Sequence, residues 1–148
     1  MKEHHGGHFN WDTDDKGKTN SVTFNLNPNP IWSVYIESGA TTLNFDLSKY
    51  KIQKVKLDGG AAEFKIKLGQ PLAITDVDVS TGMADVQISI PQNAACEVET
   101  DSALSSNSFD GLSKTSDGSY QTPGFASAKN KIHINIDGGM SSFKILRY

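Results

Sequence analysis

Apolar and polar residues alternate along most of this chain, in runs that break and restart at a glycine. Val55-Lys-Leu-Asp-Gly-Gly-Ala-Ala-Glu-Phe-Lys-Ile-Lys-Leu68 shows the pattern most plainly. A period of two predicts strands with one apolar face. The two halves are out of phase, however. Leu57 and Phe64 stand an odd number of residues apart, so one straight strand would point them to opposite sides. Both are apolar, so the chain is expected to turn a corner between them. Gly59 and Gly60 are expected to supply the positive φ of that corner.

The unit recurs. Gly39, Gly60, Gly82, Ala103 and Gly139 form one column, with gaps of 21, 22, 21 and 36 residues. Five places before it stand Val34, Val55, Val77, Val98 and Ile134, and three before it Ile36, Leu57, Val79, Thr100 and Ile136. Four places after it stand Leu43, Phe64, Val86, Asn107 and Phe143, and six after it Phe45, Ile66, Ile88, Phe109 and Ile145. Only Thr100 and Asn107 are polar, both in the fourth copy. Two past the column the residue is small: Thr41, Ala62, Ala84, Ser105 and Ser141. Tyr50 with Ile52, Leu72 with Ile74, and Ala94 with Cys96 suggest a third side to each unit. A period on this scale predicts a repeat array. The expected fold is all-β, a right-handed parallel β-helix-like solenoid of about five rungs stacked in sequence order, with terminal caps. The hand is taken from the crossover rule. The alternative is an antiparallel β-sandwich with regular turn spacing.

The flanks differ in character. Residues 1–20 are polar and rich in His, Gly, Asp and Lys, and are expected to be a flexible tail or linker. A single β-solenoid domain is expected over 21–148. Val22–Leu26 alternates as a strand does, Asn27-Pro-Asn-Pro30 breaks it, and residues 22–32 suit an N-terminal cap. Residues 110–130 depart from the repeat. Their turn signals, with Leu112, Tyr120, Phe125 and Ala128, predict a packed hairpin or a distorted rung. Leu146–Tyr148 is expected to shield the end of the stack. No segment reads as a helix.

Composition narrows the function classes. With 148 residues, 36% hydrophobic and 21% charged, the chain can bury a sizeable core. The net charge of −3 and the interleaving of Lys with Asp and Glu argue against nucleic acid. One cysteine excludes an internal disulfide framework, and Cys96 falls in an inward position as a small hydrophobe. No apolar run approaches the length of a membrane span.

The search for chemistry finds no G-x-S-x-G, P-loop, H-E-x-x-H or C-x-x-C motif. No catalytic residue, cofactor or enzymatic activity is expected. His4, His5 and His8 suit adventitious binding of a transition metal by the tail better than a closed site. With copies stacked in sequence order, Asp76 would lie against Glu97 and Asp78 against Glu99. Four adjacent carboxylates suggest a weak Ca²⁺ site, or more plainly a solvated acidic face beside Lys54 and Lys56. His133 is expected to point outward. Lys65 and Lys67 form a second short ladder. Exposed Tyr35, or Tyr120 and Phe125 in the excursion, could stack on sugars, though packing over the core suits the latter pair better. Tyr120, Pro123 and Phe125 together mark a candidate interaction surface.

Three segments carry a family resemblance. They are Leu57-Asp-Gly-Gly-Ala-Ala-Glu-Phe-Lys-Ile-Lys-Leu-Gly69, Asp78-Val-Ser-Thr-Gly-Met-Ala-Asp-Val-Gln-Ile-Ser-Ile-Pro91, and Gly118-Ser-Tyr-Gln-Thr-Pro-Gly-Phe125 followed by Asn130-Lys-Ile-His-Ile-Asn-Ile-Asp-Gly-Gly139. Over residues 31–148 the chain resembles the C-terminal domain of LiaF-type bacterial envelope-stress proteins, the toastrack module, related to adhesin-like domains. The resemblance implies an all-β, β-helix-like domain carried after transmembrane helices. It also implies a sensing or interaction role at the membrane, in LiaF itself the negative regulation of a two-component stress response. The implied partner is a protein such as a membrane sensor; independently of the resemblance, the stackable ends of a solenoid suggest self-association with a second copy of the chain. The implied location is an extramembrane domain of a membrane-associated protein. No catalytic residues come with the family. This chain lacks the membrane segment. It also has Ser102-Ala103 where the family shows Gly-Gly, which suggests distortion over Leu104–Phe109.

Overall fold

The computed structural model describes residues 26–71 and 73–148, with backbone alone at 41, 62 and 102–105. The tail over 1–20 and nearly all of the expected strand over 22–26 lie outside the described residues.

Five long strands follow the repeat: β1 (Ile31–Leu47), β2 (Lys51–Leu68), β3 (Ile74–Ile90), β4 (Ala95–Phe109) and, after the excursion, β7 (Lys131–Arg147). Each alternating run forms a strand because its apolar side can be buried while its polar side stays wet. The phase shift read from the sequence is present in the burial. In β3, Val77, Val79 and Thr81 are buried, then Ala84, Val86, Ile88 and Ile90. In β7, Ile132, Ile134 and Ile136 give way to Ser141, Phe143 and Ile145. Inward-facing parity switches at the glycine column, so each strand bends there and keeps both limbs on one core.

The glycines act differently from the expectation. Among the described residues, positive φ occurs only at Gly111, Gly118 and Gly124, all in the excursion. The corner glycines instead make room. A Cβ on Gly60, Gly82 or Gly139 would lie 2.9, 3.0 or 2.9 Å from the carbonyl oxygen of Gly39, Gly60 or Gly82, respectively. The corners stack backbone on backbone, and a methyl would wedge them apart.

Strand order departs from sequence order. The sheet runs β1-β2-β3-β7-β4-β6-β5, in which β5 is Ser113–Lys114 and β6 is Tyr120–Gln121. The five long strands pair in parallel, which excludes the antiparallel sandwich. β6 pairs antiparallel with β4 and with β5, so the sheet is mixed. The fifth copy therefore lies between the third and the fourth. The physical reason lies in the side chains. β7 is apolar at Ile132, Ile134, Ile136, Phe143 and Ile145 and needs a strand on each side. β4 carries polar Thr100 and Asn107 and suits a margin. Residues 110–130 give the chain the length to return.

The expected columns hold across the new order, since Val77 pairs with Ile134 and Ile134 with Val98. β4 keeps its register with β7 through Asn107 and Phe109, so the backbone shows no slip where distortion was expected. The excursion forms the expected hairpin and a 3-10 turn at Phe125–Ser127. At the C-terminus, Tyr148 exchanges backbone bonds with Ile90 and Gln92 and its hydroxyl donates to the Leu68 carbonyl. It ties the ends of β2 and β3 rather than covering the end of the sheet, because β7 is central.

Cys96 is fully buried, as its inward position predicts. Burial pushes its thiol up to about 12. It should resist a thiol reagent at pH 8 in the folded protein and react fully in urea. Rapid labelling of the native chain would contradict this packing.

Candidate interaction surface

The outward positions of the limb before each corner form straight columns, because parallel pairing repeats identical faces at one strand spacing. One column reads Ser33, Lys54, Asp76, His133, Glu97. The next reads Tyr35, Lys56, Asp78, Asn135, Glu99. The third reads Glu37, Asp58, Ser80, Asp137, Asp101.

This order breaks up the expected four-carboxylate patch. His133 separates Asp76 from Glu97, and Asn135 separates Asp78 from Glu99. The insertion removes the like-charge contacts that made stacking in sequence order costly. His133 Nδ1 lies 3.3 Å from Glu97 Oε1, and Gln121 Nε2 donates to Glu97 Oε2. Glu97 is only 14% exposed, with both oxygens engaged by neighbouring side chains. Asn135 Nδ2 donates to Asp78 Oδ1 at 3.1 Å, and Lys54 Nζ lies 3.4 Å from Asp78 Oδ2. Among the described residues, no group of three or more His, Cys, Asp or Glu is placed to hold a metal ion. An open groove of about 430 Å³ runs across these columns, lined by Lys56, Asp78, Ser80, Glu99, Asn135 and Asp137. It is a charged surface furrow over a sealed core.

The excursion closes one side of this face. Phe125 is 7% exposed and meets His133 edge to face at 5.4 Å between ring centroids. Tyr120 is half-buried and meets Phe109 edge to face at 4.9 Å. Pro123 is exposed. Of the three residues marked as a candidate surface, the two aromatics are spent on packing. His133, expected to be outward, is half-covered by Phe125. Tyr35 stands clear at 66% exposure.

A tight turn shapes the hairpin tip. The Thr115 hydroxyl, the Ser119 backbone N–H and the Ser119 hydroxyl all donate to Asp117 Oδ1. These bonds hold the Asp117 carboxyl at about 2, below its ordinary 3.8. The folded-state value is depressed, so the contribution of Asp117 is present above the ordinary carboxylate range and is lost as pH falls through about 2. An NMR titration of the Asp117 carboxyl should show that midpoint, and a midpoint near 3.8 would contradict the turn.

The family model described as the N-terminal domain of toast_rack, DUF2154, matches residues 1–98. The chain belongs to this toast-rack family. The match takes in β1 to β3 and the start of β4, and the excursion and β7 lie beyond it. The fold is similar to the crystal structure of a putative cell adhesion protein from Clostridium sporogenes ATCC 15579, with a TM-score of 0.78 and 17% identity over 88% of this chain. The toast-rack chain spans 66% of that protein's length. Among curated proteins none matches. Toast-rack membership fits a structural or interaction module, and the adhesion-protein neighbour supports the fold. No helix among the described residues is long and apolar enough to cross a membrane.

Proposed function

We propose that this toast-rack domain is a non-enzymatic protein-contact module of a bacterial envelope-stress protein, held near a membrane by segments outside the fold. The observation that carries the reading is the face of three columns. It fixes Glu37, Asp58, Asp76, Asp78, Glu99, Asp101 and Asp137 on a backbone frame, against Lys54 and Lys56. A rigid acidic face favours a partner with a basic surface, and it steers encounter in a salt-dependent way. We also read the parallel array as a β-helix-like coil. The links 48–50, 69–73 and 91–94 are too short to run back along straight strands of this length, so each bent strand would return near its own start. A self-associating scaffold is the second reading, favoured by the side of β1 on which no described strand pairs.

The test is genetic. Deleting the domain in its source cell should change the output of a cell-wall-stress reporter, and substituting Asp58, Asp78 and Asp137 by lysine should reproduce that change. A reporter indifferent to both would contradict the reading.

A further inference from the structure

The two margins of the sheet are built differently. At the β4 margin, β6 pairs over Glu97 and Val98, and exposed Ser106, Asn107 and Ser108 follow. Short covering strands and polar residues are how a sheet edge is ended. At the β1 margin no described strand pairs. The inward residues Val34, Ile36, Leu43 and Phe45 remain half-buried there, whereas their counterparts in β2, β3 and β7 are at most 3% exposed. This edge is long, apolar on its inner side, and carries no lysine or proline from Ile31 to Leu47.

Gly39 is an independent observation. The other corner glycines are each required by a carbonyl of the preceding strand. A Cβ on Gly39 would meet nothing within 4 Å, and its φ is not positive. The chain keeps a glycine where nothing among its described neighbours demands one. A backbone approaching β1 from outside would demand it.

We propose that β1 pairs antiparallel with β1 of a second copy, across a two-fold axis between Gly39 and Ala40. This deepens the interaction-module reading above and rests on it. The sequence supports the register. Inward parity is even before the bend and odd after it, so this axis sets Val34 opposite Phe45 and Ile36 opposite Leu43. An axis on either residue would set inward residues against outward ones. On the outer side Ser33 faces Asp46, Tyr35 faces Asn44 and Glu37 faces Thr42, so no like charges meet. The interface is isologous, and each pair occurs twice.

The full chain tested by analytical ultracentrifugation should show a reversible monomer–dimer equilibrium. Ser33→Asp should raise the dimer Kd by about two- to thirtyfold, because the new carboxylate meets Asp46 of the second copy in both pairs. Within one chain the same carboxylate lies beside Lys54, so fold damage is not the cause. Thr42→Lys, facing Glu37 of the second copy, should lower the Kd. Gly39→Ala should raise it without lowering the melting temperature of the dilute monomer. A chain that stays monomeric at every concentration would overturn the pairing, as would a Kd indifferent to Ser33→Asp and Gly39→Ala. Dimerisation by a chain shortened by residues 1–25, but not by the full chain, would also overturn it and make that segment the occupant of the edge. None of these failures touches the stress-reporter test, so the two readings fail separately.

Discussion

Phe143→Ala is expected to destabilise the fold by about 3–5 kcal/mol, a large part of the 5–15 kcal/mol typical of a domain. Phe143 is 1% exposed and stands on β7, flanked by the Val86 and Asn107 positions of β3 and β4. Its ring lies over the corner. A Cβ on Gly138 would be 2.8 Å from Phe143 Cζ, so the backbone has already given up a side chain to seat the ring. Truncation leaves a void beneath a bent backbone that stacked corners hold in place, and the site cannot collapse to fill it. The urea midpoint should fall with an unchanged slope. Phe45→Ala, at the same kind of position on half-buried β1, should cost clearly less. Equal losses at the two sites would mean that β1 is covered in the monomer.

The second large effect concerns the corners. Gly139→Ala should cost about 1–3 kcal/mol, the range for adding a methyl where neighbouring atoms leave no room for it. Its Cβ would sit 2.9 Å from the Gly82 carbonyl oxygen, a backbone atom that cannot swing aside as a flexible side chain would. Backbone freedom predicts nothing of this kind, because φ at Gly139 is not positive and alanine would ordinarily be neutral or helpful there. Thermal melting of Gly139→Ala beside Gly39→Ala separates the two accounts. A loss at 139 alone supports close approach, and equal changes at both sites support a conformational role.

These residues also show what the sequence disclosed and where it was mute. The columns, the bend and the inward set were legible because a period of two that changes phase at a fixed interval leaves one geometry that buries both halves. The role of the glycines was misread because two physical demands, positive φ and absence of a side chain, select the same residue. Sequence alone does not distinguish them. The order of the last two long strands was hidden for a related reason. Four of the five copies present the same apolar inward pattern, so alternation alone cannot say which copy neighbours which.

One signal could have found the order. Asn107 stands where the other copies have Leu43, Phe64, Val86 and Phe143, and it is exposed in the structure. A polar residue in an apolar column marks a copy that does not sit in the middle. Once β4 is at the margin, His133 and Asn135 fall between the carboxylates, and Glu97 and Asp78 take side-chain partners there. For the excursion aromatics, packing over the core suited the sequence better than display, and both rings do pack, Tyr120 on Phe109 and Phe125 on His133. Turn chemistry left a hairpin and a distorted rung both open, and the structure forms the hairpin.

The placement of β7 governs the acidic columns, the glycine stack and the contrast between the two margins. It is tested most directly by cross-strand backbone NOEs in the isotope-labelled protein. The account predicts that Ile134 shows parallel-strand contacts to Val77 on one side and Val98 on the other. Direct contacts between Val77 and Val98, with Ile134 at an edge, would contradict it.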